Sequence, residues 1–324
     1  MRFGVGDFSG QRPPGSPAAH AQLYAELLEQ AEAIERAGLD SMWVSEHHFA
    51  EDGYMPAVLP IAAALLARTS RITVATDRLA ASLHDPVRLA EDAIALDLLS
   101  GGRFVLGLSL CYRQQEFQGF GVDEASDEAT LEEVARTLRG AFTGARVMVG
   151  ERTATITPRP FSSAGPRLMI AADGERGSER AARLADMLMV DPTEAWPAVD
   201  DAVGRFDETR NDRTGELVLF TYGGLSEQGR DAAWGEVKDG FRYMRHNYDR
   251  WMGREPTRTL PPPHYRMLLG TATEVAGQAL EYRNRYGDRV HVVLRCNYPG
   301  MTAAAVDEQI GLWGEAAAAA CARA

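Results

Sequence analysis

Lysine is almost missing from this chain. Of thirty-four basic residues among 324, Lys238 alone is lysine and the rest are arginine. Unless Lys238 serves, Schiff-base chemistry, a pyridoxal-phosphate linkage and a Walker lysine are excluded, so any phosphate must be held by arginine or backbone N–H groups. Cysteine is scarce as well: Cys111, Cys296 and Cys321 are odd in number and form no CxxC pair. That spacing argues against a zinc knuckle or a disulfide framework and points to a reducing compartment. A basic excess is absent too. Forty-six acidic residues leave a net charge of −12, which argues against nucleic acid or an anionic membrane as the main partner. No charged N-terminal segment leads into an apolar run, so no secretory signal is expected. The longest apolar stretch, residues 57–67, contains Pro60 and is too short to cross a bilayer. The expectation is a soluble, cytoplasmic protein.

What is present is an ordinary globular composition, 45% apolar and 25% charged, on a chain long enough for a large core. Short β-branched or aromatic runs at 3–5, 41–44, 72–76, 104–108, 168–171, 187–190, 217–222 and 290–294 alternate with helical patterns. The helices fall near 23–37, 57–67, 87–99, 131–142, 195–206 and 304–319, with two more opening at Ser178 and Thr273. Eight alternations without a linker predict one (β/α)8 TIM barrel over residues 1–324. No G-x-G-x-x-G follows the first strand, which disfavours a Rossmann arrangement. Residues 223–265 read as an insertion between the seventh strand and the last helix. Its Trp234, Phe241, Tyr243, Tyr248 and Trp251 suit a lid or pocket wall, or else a satellite core; Pro261, Pro262 and Pro263 close it. The helices at 57–67 and 87–99 carry apolar residues on more than one face. Val87, Ala90, Ile94 and Leu98 form one stripe of the second helix, and Leu89, Ala93 and Leu96 another. A homodimer through these helices is expected.

The densest chemical cluster is Glu46-His47-His48-Phe49, at the carboxyl end of the second strand, the end that holds barrel active sites. A histidine there suits proton transfer. Adjacent strand residues point to opposite faces, so one metal ion shared by His47 and His48 is disfavoured, and no HxH or HExxH spacing supports one. Both histidines bonding only loop backbone is the plain alternative. His84 precedes Asp85 as helix N-cap and Pro86 as the first helical residue, and can face the barrel mouth. Ala172-Asp173-Gly174-Glu175-Arg176-Gly177-Ser178 after the fifth strand suits an anion cradle, with Arg176 or Arg180 helping and Glu179 opposing; an ordinary solvated turn is the alternative. Arg295, Asn297 and Tyr298 end the eighth strand and are candidates for substrate contact, although Asn297-Tyr298-Pro299-Gly300 also reads as a turn.

Together these segments resemble the bacterial luciferase-like flavin-dependent monooxygenases. The resemblance is carried by Trp43-Val44-Ser45-Glu46-His47-His48-Phe49 and by the run from His84 to Asp92 continuing through residues 96–104. Tyr112-Arg113, Glu116-Phe117, Phe120-Gly121-Val122 and Leu269-Gly270-Thr271 with Glu274-Val275 add to it. The resemblance implies a barrel that binds reduced FMN at its carboxyl face, uses O2 as co-substrate and draws on a separate flavin reductase to oxidise a small molecule. It places His47 on the catalytic histidine, with Glu46 and His48 beside it, Ser109 near the flavin ring and Thr76 where backbone packs against that ring. Asp173, Gly174, Gly177 and Ser178 fall on the phosphate loop. Two departures stand out: Cys111 replaces a common glycine, and Leu110 stands where an arginine serves the phosphate in luciferases, a loss Arg176 would offset. The same superfamily includes deazaflavin-dependent hydride-transfer oxidoreductases, and a non-enzymatic flavin-binding protein is a third reading. A metal-dependent hydrolase lacks ligands at useful spacing.

Overall fold

The structure is a computed structural model, and it describes residues 1–149, 151–172, 174–191, 196–212, 214–255 and 266–323. Eight parallel strands form the barrel: β1 Arg2–Phe8, β2 Ser41–Val44, β3 Thr73–Thr76, β4 Phe104–Ser109, β5 Arg167–Ala171, β6 Met187–Val190, β7 Glu216–Leu225 and β8 Val290–Arg295. Each pairs with its sequential neighbour, and β8 pairs with β1, so the ring closes without an edge. Trp43, Ala75, Val105, Met169, Met189, Val218 and Val293 fill the interior. Their neighbours Met42, Val44, Val74 and Leu106 point outward into the strand–helix core. Burial on both faces explains why these strands read as continuous apolar runs.

The surrounding helices are α1 His20–Arg36, α2 Val58–Arg68, α3 Pro86–Ser100, α4 Gln114–Phe120, α5 Asp127–Thr143, α6 Gly174–Leu184, α7 Trp196–Arg210, α8 Arg230–Trp251, α9 Ala272–Tyr286 and α10 Ala303–Ala322. Asp85 caps α3 by accepting from the N–H groups of Val87 and Arg88, both at 3.0 Å, with Pro86 first in the helix. Thr271 and Glu274 cap α9 reciprocally.

The stretch 223–265 differs from the expected irregular insertion. Residues 223–225 belong to β7, and 230–251 form the long helix α8, whose Ala233, Val237, Phe241 and Met244 recur at helical spacing and are fully buried. Met267–Gly270 is an extra strand added outside the ring, alongside the end of β7. Pro261, Pro262 and Pro263 lie outside the described residues, as does Ala195. A further departure is α6, which opens at Gly174, four residues before Ser178. The two apolar stripes of α3 are largely covered by the chain itself: Leu89, Ala90, Ala93, Ile94 and Leu96 are buried. What stays exposed is its far end, Leu98 (40%) and Leu99 (59%), beside Phe161 (63%). Among the described residues no helix is long and apolar enough to cross a membrane.

Candidate active site

At the carboxyl end of the barrel lies a cavity of about 810 Å³. Its most organised wall begins where β2 ends. The backbone N–H of His47 donates to the Met55 carbonyl, so the chain has already left the strand. The two adjacent histidines therefore go to different carboxylates. His47 Nδ1 lies 3.0 Å from Glu116 Oε1 of α4, and its Nε2 lies 2.9 Å from the Tyr112 hydroxyl. His48 Nε2 lies 3.4 Å from Glu46, which also meets His84 Nε2 at 3.1 Å. Among the described residues no group of three His, Cys, Asp or Glu is placed to hold a metal ion.

Both carboxylates are buried, and burial alone would favour their neutral forms. The hydrogen bonds win. His48 and His84 hold Glu46 down at about 2 against that burial. Glu116 is likewise lowered, by His47 first, then by the His48 N–H and Arg113. Arg113 reaches Glu116 at 3.1 Å and the His48 carbonyl, and its guanidinium lies 4.2 Å from the Trp251 ring centroid. Because the Glu46 acid is weaker in the unfolded chain, its contribution is complete above about pH 4.5 and is lost as pH falls toward 2. Glu46→Gln is therefore expected to lower stability at pH 7 and to flatten the acid limb of a urea-monitored pH–stability curve; an unchanged limb overturns this.

Helix α8 supplies the facing wall. It is pinned to the β2–α2 loop by Asp52, which accepts from Tyr243 at 2.8 Å, Asn247 at 3.0 Å and Gln11 at 2.7 Å. That anchoring sets Tyr248 in the cavity wall and packs Trp251 against His47, ring centroids 5.1 Å apart. Trp234 and Phe241 instead pack with Tyr222 and Tyr298 in the interior. The aromatic residues thus divide between a pocket wall and a satellite core. Below them, Arg295 Nη1 donates to Asp7 Oδ2 at 2.5 Å, Arg295 fully enclosed and Asp7 buried at the cavity wall, with the Tyr54 and Tyr248 hydroxyls alongside.

The third wall is the start of α6. Ala172, Arg176 and Gly177 line the cavity, together with Glu175 and Arg180. Gly174 has φ +73°, and a Cβ on Gly177 would come within 2.8 Å of the Ala172 Cβ, so glycine keeps the first turn close to the strand end. The residues fit a phosphorylated flavin: the cavity has cofactor size, and unpaired first-turn N–H groups beside an arginine suit an anion. Asp173 lies outside the described residues. Ser178 is fully buried, and its hydroxyl donates to the Gly174 carbonyl at 3.0 Å, as a residue in the second turn can.

The remaining candidates separate as follows. Glu46, His47, His48, Ser109 and Leu110 line the cavity. The Ser109 hydroxyl donates to the carbonyls of Arg78 and Leu110. Thr76 is buried and bonds both ways across β4 to Gly107. Asn297 donates to the Gly6 carbonyl, and Tyr298 braces Gly223 and the Arg295 carbonyl. Arg295 reaches the site through Asp7. Burial first, then Glu116, pushes the Cys111 thiol up to about 12, which disfavours its thiolate. Sequence reasoning passed over Asp7, Asp77, Arg78, Arg245 and Arg254 as site residues. For Asp7 and Asp77 a signal existed: each is an acid at the carboxyl end of an apolar strand.

A closed parallel barrel with histidine–carboxylate pairs and a glycine-rich helix start around a cavity at its carboxyl mouth has the architecture of a barrel enzyme. The chain belongs to the luciferase-like monooxygenase family, whose model matches residues 1–308. An alkanal monooxygenase beta chain from Photorhabdus luminescens is 29% identical over 173 residues, 52% of this chain and 53% of that one. The chain thus spans about half the length of the curated relatives it matches. Among solved structures, the monooxygenase RslO1 from Streptomyces bottropensis superposes with a TM-score of 0.82 at 22% identity, covering 97% and 98% of the two chains. The FMN-bound oxygenating constituent of 3,6-diketocamphane monooxygenase from Pseudomonas putida gives 0.77 at 15%, covering 96% of each. An F420-dependent secondary alcohol dehydrogenase gives 0.78 at 16%, covering 98% of each. At these identities the structural likenesses establish the fold.

Proposed function

We propose that this enzyme uses reduced FMN, delivered by a separate reductase, and O2 to oxidise a small organic substrate, with His47 as the acid/base group. The observation that carries the proposal is the Glu116–His47–Tyr112 chain at the wall of the cavity that the start of α6 also lines. Bound reduced flavin would supply the electrons that activate oxygen. The chain's own part is to hold the cofactor, exclude water and move protons. Gly177 N–H and Arg176 would hold the phosphate. Tyr248 and Trp251 would shield the reacting face from water. Glu116 fixes the Nδ1–H tautomer of His47, which leaves Nε2 as the nitrogen that exchanges a proton, through Tyr112 or directly.

Oxygen consumption by the protein with reduced FMN is the test, and uptake above the free-flavin rate is expected. A deazaflavin hydride-transfer reaction is the second reading, favoured by Arg176, Arg245 and Arg254 along the cavity, which suit a longer anionic tail. Turnover with deazaflavin and none with FMN would reverse the ranking. Arg176→Ala is expected to weaken FMN binding roughly tenfold, as for loss of one charge-assisted hydrogen bond, and riboflavin binding much less. Equal affinity for FMN before and after the change removes Arg176 from the site. A homodimer is proposed through the exposed end of α3, Leu98 and Leu99 with Phe161. Sedimentation at micromolar concentration should give a dimer, and a monomer throughout would end that idea.

A further inference from the structure

Asp77 follows directly on β3, lines the cavity and is only 2% exposed. Its neighbours in the site are taken up: Asp7 by Arg295, Glu46 by His48 and His84, Glu116 by His47 and Arg113. Among the described residues Asp77 Oδ1 has no hydrogen-bond partner, and the Arg78 Nε lies 3.6 Å away, beyond hydrogen-bond distance. An ionised carboxylate so placed is costly. The charged groups that face it are Asp7 from β1, Arg78 next to it in the chain, Arg295 from β8 and Asp191 after β6. The two arginines favour the anion, and the two aspartates oppose it. Burial, then Asp7, prevails and pushes this acid up to about 7.

We propose that Asp77 is the ligand-linked acid of the cavity: an uncharged ring system filling the site drives it to its neutral form, so that binding takes up a proton there. The physical reason is that the cavity is still open to water on the ligand side. A bound ring removes that water and supplies no counter-charge, which disfavours the anion further. The neutral carboxyl then has an O–H to donate, and it selects a ligand that turns a carbonyl oxygen or ring nitrogen acceptor toward β3. Heteroaromatic rings with an imide edge, flavins and deazaflavins among them, have that chemistry. The inference rests on the flavin reading above.

The test is calorimetric titration of the protein with oxidised FMN at pH 6 and pH 8, each in two buffers of different ionisation enthalpy. Proton uptake close to one per site is expected at pH 8 from this carboxyl and close to none at pH 6, beyond any contribution of the ligand phosphate. Affinity should accordingly fall with rising pH above 7, approaching about tenfold per unit. Asp77→Asn keeps the shape, removes the titration, and should abolish the uptake at pH 8 while binding FMN more tightly there than the parent does. Riboflavin, which lacks the phosphate, should show the same uptake with the parent protein. Binding of either ligand at pH 8 without proton uptake overturns the assignment of Asp77 alone, whatever the variant does. Uptake that persists undiminished in Asp77→Asn does so too. Failure of the parent to bind FMN, riboflavin or a deazaflavin overturns the flavin reading, and this inference with it.

Discussion

His47→Ala is expected to lower turnover with reduced FMN by about 10²–10⁴-fold, the usual worth of a positioned general acid/base. Cofactor affinity should stay within a few-fold, because the α6 cradle is on another wall of the cavity. His47 is the histidine with the geometry for the work. Glu116 holds its Nδ1 at 3.0 Å, and only a proton on that nitrogen makes a hydrogen bond with a carboxylate held well ionised. Nε2 is then a lone-pair acceptor facing the Tyr112 hydroxyl at 2.9 Å. His48 is different, since its ring serves Glu46 and packs on Phe120. His48→Ala should therefore cost far less turnover. Glu116→Gln keeps an oxygen that accepts from Nδ1–H, so His47 stays positioned and turnover should fall far less than in His47→Ala; a loss as large as that of His47→Ala would sink the positioning role. Equal rates for His47→Ala and the parent would remove His47 from the chemistry altogether.

The second large effect is on folding. Arg295→Met is expected to lower stability by about 3–5 kcal/mol, the cost of leaving a buried charge without its partner. Arg295 is fully enclosed in the barrel mouth and Asp7 is buried beside it, and the attraction of Asp7 raises the guanidinium's affinity for its proton well above the ordinary value despite burial. The double variant Asp7→Asn/Arg295→Met should recover much of that loss, because no stranded charge remains. Urea unfolding of the two single variants and the double variant measures both numbers. A single-variant loss under 1 kcal/mol would mean that Asp7 finds another partner or a proton.

The legibility of this molecule in its sequence follows the range of the interactions concerned. The strands and most helices show as periodicity, because burying both faces of a parallel strand demands a continuous apolar run. The cap at Asp85-Pro86 is read correctly since cap and helix are adjacent in the chain. The extent of α6 is not: Gly174 and Ser178 both suit a helix opening, and the closeness of Gly177 to Ala172 goes with the earlier start. The long helix α8 had a legible apolar stripe at 233, 237, 241 and 244, masked by aromatic residues that draw attention to a lid. The division of those aromatics depends on Asp52, which lies 191 residues from Tyr243, and no local pattern announces that contact.

By itself the sequence determined the alternating barrel, the histidine-bearing loop after the second strand and the glycine-rich turn after the fifth, all of them properties of neighbouring residues. Near-absence of lysine confines any phosphate binding to arginine and backbone, and the start of α6 offers both at the cavity. Tertiary structure alone decided which carboxylate each histidine meets, that Arg295 meets Asp7 across 288 residues of chain, and that among the described residues Asp77 Oδ1 has no hydrogen-bond partner. Closing the ring brings the strand ends within hydrogen-bond reach of one another. Which charges are paired there, and which is left to titrate, depends on distances that no spacing along the chain encodes.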